Sequence, residues 1–157
     1  MNNQEKEYLQ RAIELARESV NKGGFPAGAL IVKDGQIVSE GISIGNILHD
    51  PTAHAETVAI REACLKLQTT DLSGATMYES IECCTMCFSV ANWVGISRIV
   101  YACRKTPEMV ADHYYEGSTN NQVLNEGNNH KIELVFTPDL EEESLKVIKE
   151  WEIANGI

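Results

Sequence analysis

Apolar residues recur three or four positions apart near the start of the chain, at Leu9, Ala12, Ile13, Ala16 and Val20. This period predicts an amphipathic helix over residues 3–22. Gly23 and Gly24 follow directly and predict the end of that helix. A β-hairpin is predicted next, because Asp34-Gly35, a strong tight-turn signal, separates the apolar segments 29–32 and 37–40.

A polar stretch over residues 41–53 predicts a loop, and Thr52 is the expected N-cap of a helix that runs to about Leu67. Further along, strands are predicted over residues 75–79, 98–103 and 132–136, and helices over residues 84–94 and 140–151. The polar segment 106–130 predicts short helices between loops. Strands that alternate with helices favour an α/β fold, here a sheet that is opened by one hairpin and covered on both faces.

Three side chains of metal-ligating type stand near two of the predicted helix starts. His54 precedes Glu56 by two positions, and Cys84 and Cys87 follow further along the chain. One imidazole and two thiolates predict a zinc site, and three protein ligands leave a fourth position open to water, as in catalytic zinc centres. Glu56 is the expected proton shuttle for that water. Together these residues predict hydrolytic attack on an electrophilic ring carbon.

Helix geometry indicates where this site lies. Residues two apart on a helix point about 200° apart, so His54 and Glu56 can converge only at the N-terminal end of their helix. Cys84 and Cys87, three apart, share one face near the start of theirs. The alternatives for Cys-x-x-Cys are a structural zinc knuckle and a redox pair. A knuckle needs a fourth protein ligand, and the adjacent Cys83 is poorly placed to supply it.

These residues resemble the cytidine and purine deaminase superfamily, in particular the branch of bacterial guanine deaminases and tRNA adenosine deaminases. Residues 50–56, Asp-Pro-Thr-Ala-His-Ala-Glu, match that branch, and so does Cys-Thr-Met-Cys at residues 84–87. His-x-Glu followed by Cys-x-x-Cys is the general signature of zinc nucleobase deaminases. The resemblance covers about residues 5–105. It implies a three-layer α/β/α fold around a five-stranded mixed sheet, commonly assembled as a homodimer.

Three departures from that branch bear on the site. Cys83 stands where the relatives carry a proline before the first metal-ligating cysteine. Ser43 stands where they carry a base-binding asparagine, and it offers one hydroxyl in place of an amide's donor and acceptor. Ala27 replaces a bulky aromatic residue of guanine deaminases, and the C-terminal tyrosine of those enzymes is missing.

The resemblance implies a zinc-dependent hydrolytic deaminase in which His54, Cys84 and Cys87 bind Zn2+ and Glu56 moves protons. The expected substrate is a small free nucleobase or nucleoside, with a guanine-like purine slightly favoured over cytosine or cytidine.

Further candidates concern contacts with the substrate. They are the backbone of Ala55, the hydroxyl of Ser43, and Asp112, which lies near where guanine deaminases place an acidic proton shuttle. Trp151, on the last predicted helix, is expected in the core rather than over the pocket.

Composition and charge narrow the partners. The 157 residues are expected to form a single deaminase domain over residues 1–157. No apolar run approaches the ~18 residues of a membrane span and the N-terminus lacks signal-peptide character, so we expect a cytoplasmic enzyme without membrane contact. With 23 acidic and 13 basic residues the net charge is −10, which disfavours nucleic acid as a partner. Two alternatives remain open: a tRNA adenosine deaminase, and an inactive zinc-binding module, which the presence of Glu56 opposes.

Overall fold

The computed structural model describes residues 1–157 and arranges them around one five-stranded sheet. The strands are β1 (Phe25–Lys33), β2 (Gln36–Ser43), β3 (Thr76–Glu79), β4 (Arg98–Tyr101) and β5 (Glu133–Phe136). The helices are α1 (Asn3–Asn21), α2 (Gly45–Leu48), α3 (Ala55–Leu67), α4 (Thr85–Trp93), α5 (Pro107–Ala111), α6 (Asn121–Gly127) and α7 (Glu141–Asn155). None of these helices has the length and apolar character that crossing a membrane requires.

The sheet is mixed, as predicted, with the strand order β2-β1-β3-β4-β5. β1 pairs antiparallel with both β2 and β3, whereas β3, β4 and β5 are parallel. The start of β1 and the end of β2 therefore lie at the same edge of the sheet as the carboxyl ends of β3 and β4. The loops that leave this edge carry the chemistry described below.

Alternate residues of β1 face opposite layers, which explains the three-layer architecture. Leu30 and Val32 pack into an apolar cluster with α1 and α7. Ala29 and Ile31 pack into a second, larger cluster with α3 and α4. Because successive strand residues point to opposite faces, one continuous apolar strand supports both layers. The predicted α/β/α fold is confirmed.

The predicted hairpin and short helices are also confirmed. Asp34 and Gly35 both have positive φ angles, 52° and 73°, as a two-residue turn of type I′ requires. The segment 106–130 contains the two short helices α5 and α6.

The start of α3 differs from the prediction. Thr52 is not the N-cap, because its N–H and its hydroxyl both donate to Asp50 Oδ1, at 2.8 and 2.7 Å. This local turn competes with helix initiation, and the helix begins only at Ala55, with His54 as its N-cap. The predicted loop 41–53 is also shorter, since β2 continues to Ser43 and α2 follows.

Gly41 lets the start of α3 lie directly on β2. A Cβ atom at Gly41 would stand 2.0 Å from the carbonyl oxygen of Ala55, which is far inside van der Waals contact. The missing side chain therefore brings the first turn of α3 against the strand that ends at Ser43. This close approach places His54 and Glu56 at the edge of the sheet where β2 ends, which is also where the carboxyl ends of β3 and β4 lie.

Candidate active site

The three predicted metal ligands come together at the N-termini of α3 and α4. His54 is the N-cap of α3, Cys84 is the N-cap of α4, and Cys87 lies in the first turn of α4. Their ligand atoms all lie within 4.8 Å of one another. The side chains of His54 and Cys84 make no capping hydrogen bond to their helices, so both are free to bind a metal ion. The Thr57 hydroxyl lies 3.2 Å from Cys87 Sγ and can donate to it.

The geometry of this set fits a tetrahedral zinc ion. With Zn–N near 2.1 Å and Zn–S near 2.3 Å, two ligands of such an ion stand about 3.6 Å apart. Cys84 Sγ lies 3.5 Å from His54 Nδ1. The soft sulfur donors with one imidazole also select zinc over calcium or magnesium, which prefer oxygen. The residues present therefore fit the ion.

The electrostatics of the two cysteines also favour a cation. A hydrogen bond from Cys87 lowers the pKa of Cys84 to about 5, against the opposing effect of burial, and His54 adds to the lowering. The pKa of Cys87 is raised, because its thiol bonds to the Cys84 sulfur and is itself buried. The pair thus carries one negative charge, and a divalent ion held by both sulfurs favours loss of the second proton.

Glu56 lies on the first turn of α3 with only 4% of its surface exposed, and it lines the same cavity as His54 and Cys84. Burial raises the pKa of its carboxyl group above the ordinary value, and the negative charge of Cys84 adds to that shift. A carboxyl group whose pKa is raised binds a proton more readily than an ordinary carboxylate, as a general base in a reaction must.

A cavity of about 760 Å³ opens beside these residues. Ser43, which is 8% exposed, and Asp112, which is exposed, both line it. Ala55 does not line the cavity and its side chain is fully buried, so any contact with a ligand would come from its backbone.

Three aromatic residues form one wall of the cavity. Phe25, Tyr114 and Trp151 all line it, and their ring centroids lie 5.3–5.7 Å apart in edge-to-face pairs. The expectation that Trp151 belongs to the core is therefore wrong, since the side chain is half-buried and faces the cavity. Ala27 lines the same cavity and stands where guanine deaminases carry a bulky aromatic residue. The cluster of Phe25, Tyr114 and Trp151 supplies aromatic surface to this cavity.

Glu116 is a cavity residue that sequence reasoning missed. Although burial opposes its ionisation, polar groups of Thr85 and Met86 at the start of α4 hold its pKa below the ordinary value. The pKa of His54 is raised mainly by its hydrogen bond with Cys84, and the negative charge of Glu116 adds a smaller contribution. The sequence offered no signal that Glu116 lies at the cavity, because no motif or spacing includes it. A left-handed residue, His113, with φ 63°, lies between Asp112 and Glu116 in the chain, and both acids line the cavity.

The fold and the site together define an α/β/α protein with a His-Cys-Cys set that fits a zinc ion and with an adjacent buried carboxyl group. Residues 2–103 match the family described as "Cytidine and deoxycytidylate deaminase zinc-binding region". The chain belongs to this family, and the resemblance inferred from the motifs is confirmed.

Relatives within the family act on different substrates. The guanine deaminase of Bacillus subtilis (strain 168) is 45% identical over 100 residues, which are 63% of this chain and 64% of that protein. The tRNA-specific adenosine deaminase of Aquifex aeolicus (strain VF5) is 41% identical over 98 residues, 62% of this chain and 65% of its own. The match thus spans slightly less than two thirds of the length of these relatives.

A solved structure from work on tRNA:A34 deaminases shares the fold. It superposes with a TM-score of 0.78 at 27% identity, and the match covers 90% of this chain and 99% of that one. The similarity in fold therefore extends beyond the segment 2–103 that matches the family model.

Proposed function

We propose that this protein is a zinc-dependent hydrolytic deaminase of a small free nucleobase or nucleoside, with a guanine-like purine favoured over cytosine and cytidine. The observation that carries the proposal is that His54, Cys84 and Cys87 converge with the buried carboxyl group of Glu56 on one cavity. A structural zinc knuckle or a redox pair would need neither the buried acid nor the cavity.

The residues divide the reaction between them. His54, Cys84 and Cys87 would hold Zn2+, which when bound supplies a Lewis acid that lowers the pKa of water toward neutrality. Glu56 accepts one proton from the attacking water and passes it to a ring nitrogen as the ring carbon becomes tetrahedral. It then moves the second proton of that water from the new hydroxyl group to the amino group, which leaves as ammonia while the ring carbonyl forms. The raised pKa of its carboxyl group suits this double role.

The remaining cavity residues would orient the ring. The edge-to-face cluster of Phe25, Tyr114 and Trp151 offers an aromatic surface for a planar base. Ser43 would contact the edge of the base with a single hydroxyl group. Asp112 and Glu116 are two acids that line the cavity and could assist proton transfer to the leaving group.

The proposed purine preference rests on similarity to a guanine deaminase. The size of the cavity, about 760 Å³, lies within the usual range for small-molecule sites and leaves room for a sugar. The five cysteines are all free, which suits a reducing compartment, and we place the enzyme in the cytoplasm.

A tRNA adenosine deaminase is the second candidate, because the relative from Aquifex aeolicus has that activity. The net charge of −10 opposes it, since RNA binding normally uses basic surface to neutralise phosphates. A gel shift with tRNA at low and moderate salt tests this alternative. Salt-sensitive binding together with inosine formation would favour it over the small-molecule proposal.

Ammonia release tests the function directly. The panel contains guanine, adenine, cytosine and their nucleosides, together with amino-triazines and pterins. We expect turnover of a purine or purine nucleoside. Turnover restricted to cytosine or cytidine would replace the purine proposal. Zinc-replete protein that releases ammonia from none of these compounds would favour the inactive zinc-binding module.

Replacing Ser43 by asparagine is expected to narrow the substrate profile. A serine hydroxyl group discriminates weakly between bases, because it can act as donor or acceptor toward either. An asparagine side chain offers a fixed donor and a fixed acceptor, and a base that leaves either group unpaired is strongly rejected. The measurement compares kcat/KM for guanine, guanosine, cytosine and cytidine in both proteins. An unchanged profile in Ser43→Asn would remove Ser43 from the substrate contacts.

We expect a homodimer in solution. Trp93 on α4 is 88% exposed and Leu65 on α3 is 66% exposed, which is apolar surface that a second copy could cover. Sedimentation at micromolar concentration measures the state, and Trp93→Lys tests the surface. A wild-type monomer with full activity would contradict the proposed assembly.

A further inference from the structure

The residue that precedes the first metal ligand is Cys83, which stands where the related deaminases carry a proline. A proline has no N–H group, so the change to cysteine adds a backbone donor to this turn. Cys83 is only 2% exposed, and a buried N–H group must find an acceptor within the protein. The chain therefore needs a partner at this position that a proline would not require.

Glu79 supplies that partner. The Cys83 N–H donates to Glu79 Oε1 at 2.9 Å. Glu79 is the last residue of β3 and is fully buried, and its backbone pairs with Ala29 of β1 on one side and Tyr101 of β4 on the other. The acceptor is thus anchored in the centre of the sheet.

The carbonyl group of Cys83 is held from the opposite direction. Asn121, which is the first residue of α6 and is also buried, donates from Nδ2 to Cys83 O at 2.8 Å. Asn125 fixes α6 in turn, because its amide exchanges two hydrogen bonds with the backbone of Ile132, at 2.7 and 2.9 Å. Both polar groups of the Cys83 backbone are therefore bound by side chains from rigid elements.

The preceding residue, Glu82, is held in the same way. Its N–H donates to Cys103 O at 2.7 Å, and its carbonyl accepts from the Tyr115 hydroxyl at 2.6 Å. All four backbone polar groups of residues 82 and 83 thus have partners outside the turn itself. The approach of the chain to Cys84 is defined by tertiary contacts in place of a proline ring.

We propose that Glu79 is a positioning residue for the metal site, whose carboxyl oxygen holds the backbone of Cys83 and so sets the place of the Cys84 sulfur. The inference rests on the metal site of the proposed function. Glu79 neither touches the cavity nor supplies a ligand, and one of its oxygens, Oε2, has no hydrogen-bond partner. A carboxyl group with one oxygen unsatisfied in the core is costly to keep, which indicates that the other oxygen serves a specific purpose.

The inference predicts that substitutions at positions 79 and 83 compensate each other. Glu79→Val leaves the Cys83 N–H buried without an acceptor. Cys83→Pro alone places a ring carbon against Glu79 Oε1, which now lies 2.9 Å from the nitrogen. The double variant removes both faults at once, because proline needs no acceptor and valine leaves space for the ring. Each single variant should therefore bind zinc more weakly than the double variant.

The experiment measures zinc affinity by competition with a chromophoric chelator, together with thermal unfolding of the metal-free proteins. Loss of a group that orients a metal ligand typically lowers metal affinity about 10- to 100-fold. We expect that loss in Glu79→Val and in Cys83→Pro, and recovery in the double variant. Glu79→Gln keeps a carbonyl acceptor and should retain the wild-type affinity. Ile99→Val, a buried change on β4, is the control for general destabilisation and should lower Tm without weakening zinc binding.

The outcomes separate the positioning role from the proposed function. If Glu79→Val binds zinc as tightly as the wild type does, the positioning role is overturned. It is also overturned if the loss of zinc affinity in the double variant equals the sum of the losses in the two single variants. If wild-type protein binds no zinc, the metal site itself is wrong and the inference falls with it. Should Glu79→Val not fold, recovery of folding and zinc binding on addition of Cys83→Pro supports the role. If neither folds, Cys83→Pro alone decides, because it removes the same hydrogen bond from the other side, and unchanged zinc affinity in that variant overturns the role.

Discussion

Glu56→Gln is expected to lower the rate of deamination by about 10²- to 10⁴-fold, which is the usual contribution of a positioned general acid–base. Glutamine has the same size and can occupy the same buried position, but its amide cannot accept a proton from water or return one to the leaving ammonia. Because Glu56 is not among the three metal ligands, zinc should remain bound. The loss should therefore appear in kcat, with zinc content unchanged.

Glu62→Gln provides a matched control on the same helix. Glu62 lies on α3 like Glu56, but it is exposed and does not line the cavity. The control should retain full activity. Near-normal turnover in Glu56→Gln, with zinc content verified in both variants, would show that another group carries the protons, and Asp112 and Glu116 would be the next acids to replace.

Cys84→Ser and Cys87→Ser are each expected to abolish zinc binding and activity together. A serine hydroxyl is a harder and much less acidic ligand than a thiol, and only two of the three protein ligands remain. The folded state should also lose stability, because an ion that ties the starts of α3 and α4 together binds only the native structure. At a zinc concentration 1,000 times the Kd, such binding contributes about 4 kcal/mol to the free energy of unfolding.

Elemental analysis and thermal unfolding with and without added zinc measure both effects. Cys64→Ser, a half-buried thiol on α3 outside the metal-ligating set, is the control for loss of a cysteine. We expect added zinc to raise the Tm of the wild type and of the control, and to leave the Tm of Cys84→Ser and Cys87→Ser unchanged. Wild-type protein that contains no zinc when purified without chelators, and that is not activated by adding it, would contradict the metal site.

The helix and strand pattern of this chain was predictable because its signals are local. The period of Leu9 to Val20 and the Asp34-Gly35 turn each lie within one element, and both match the structure. The start of α3 was not predictable from Thr52, because the Thr52 side chain can either cap the helix or bond to Asp50. The side chain of Thr52 bonds to Asp50 and leaves the cap position to His54.

The sequence by itself predicted the three metal ligands and the acid nearest to them. His54 and Glu56, and Cys84 and Cys87, are close in sequence, so the geometry of a helix start brings each pair together whatever the rest of the chain does. Only the tertiary structure decided what surrounds them. Phe25, Tyr114 and Trp151 meet at the cavity from the start of β1, the segment after α5 and the last helix. Contacts between segments so far apart depend on how the layers pack on the sheet, and no period or spacing along the chain records that packing.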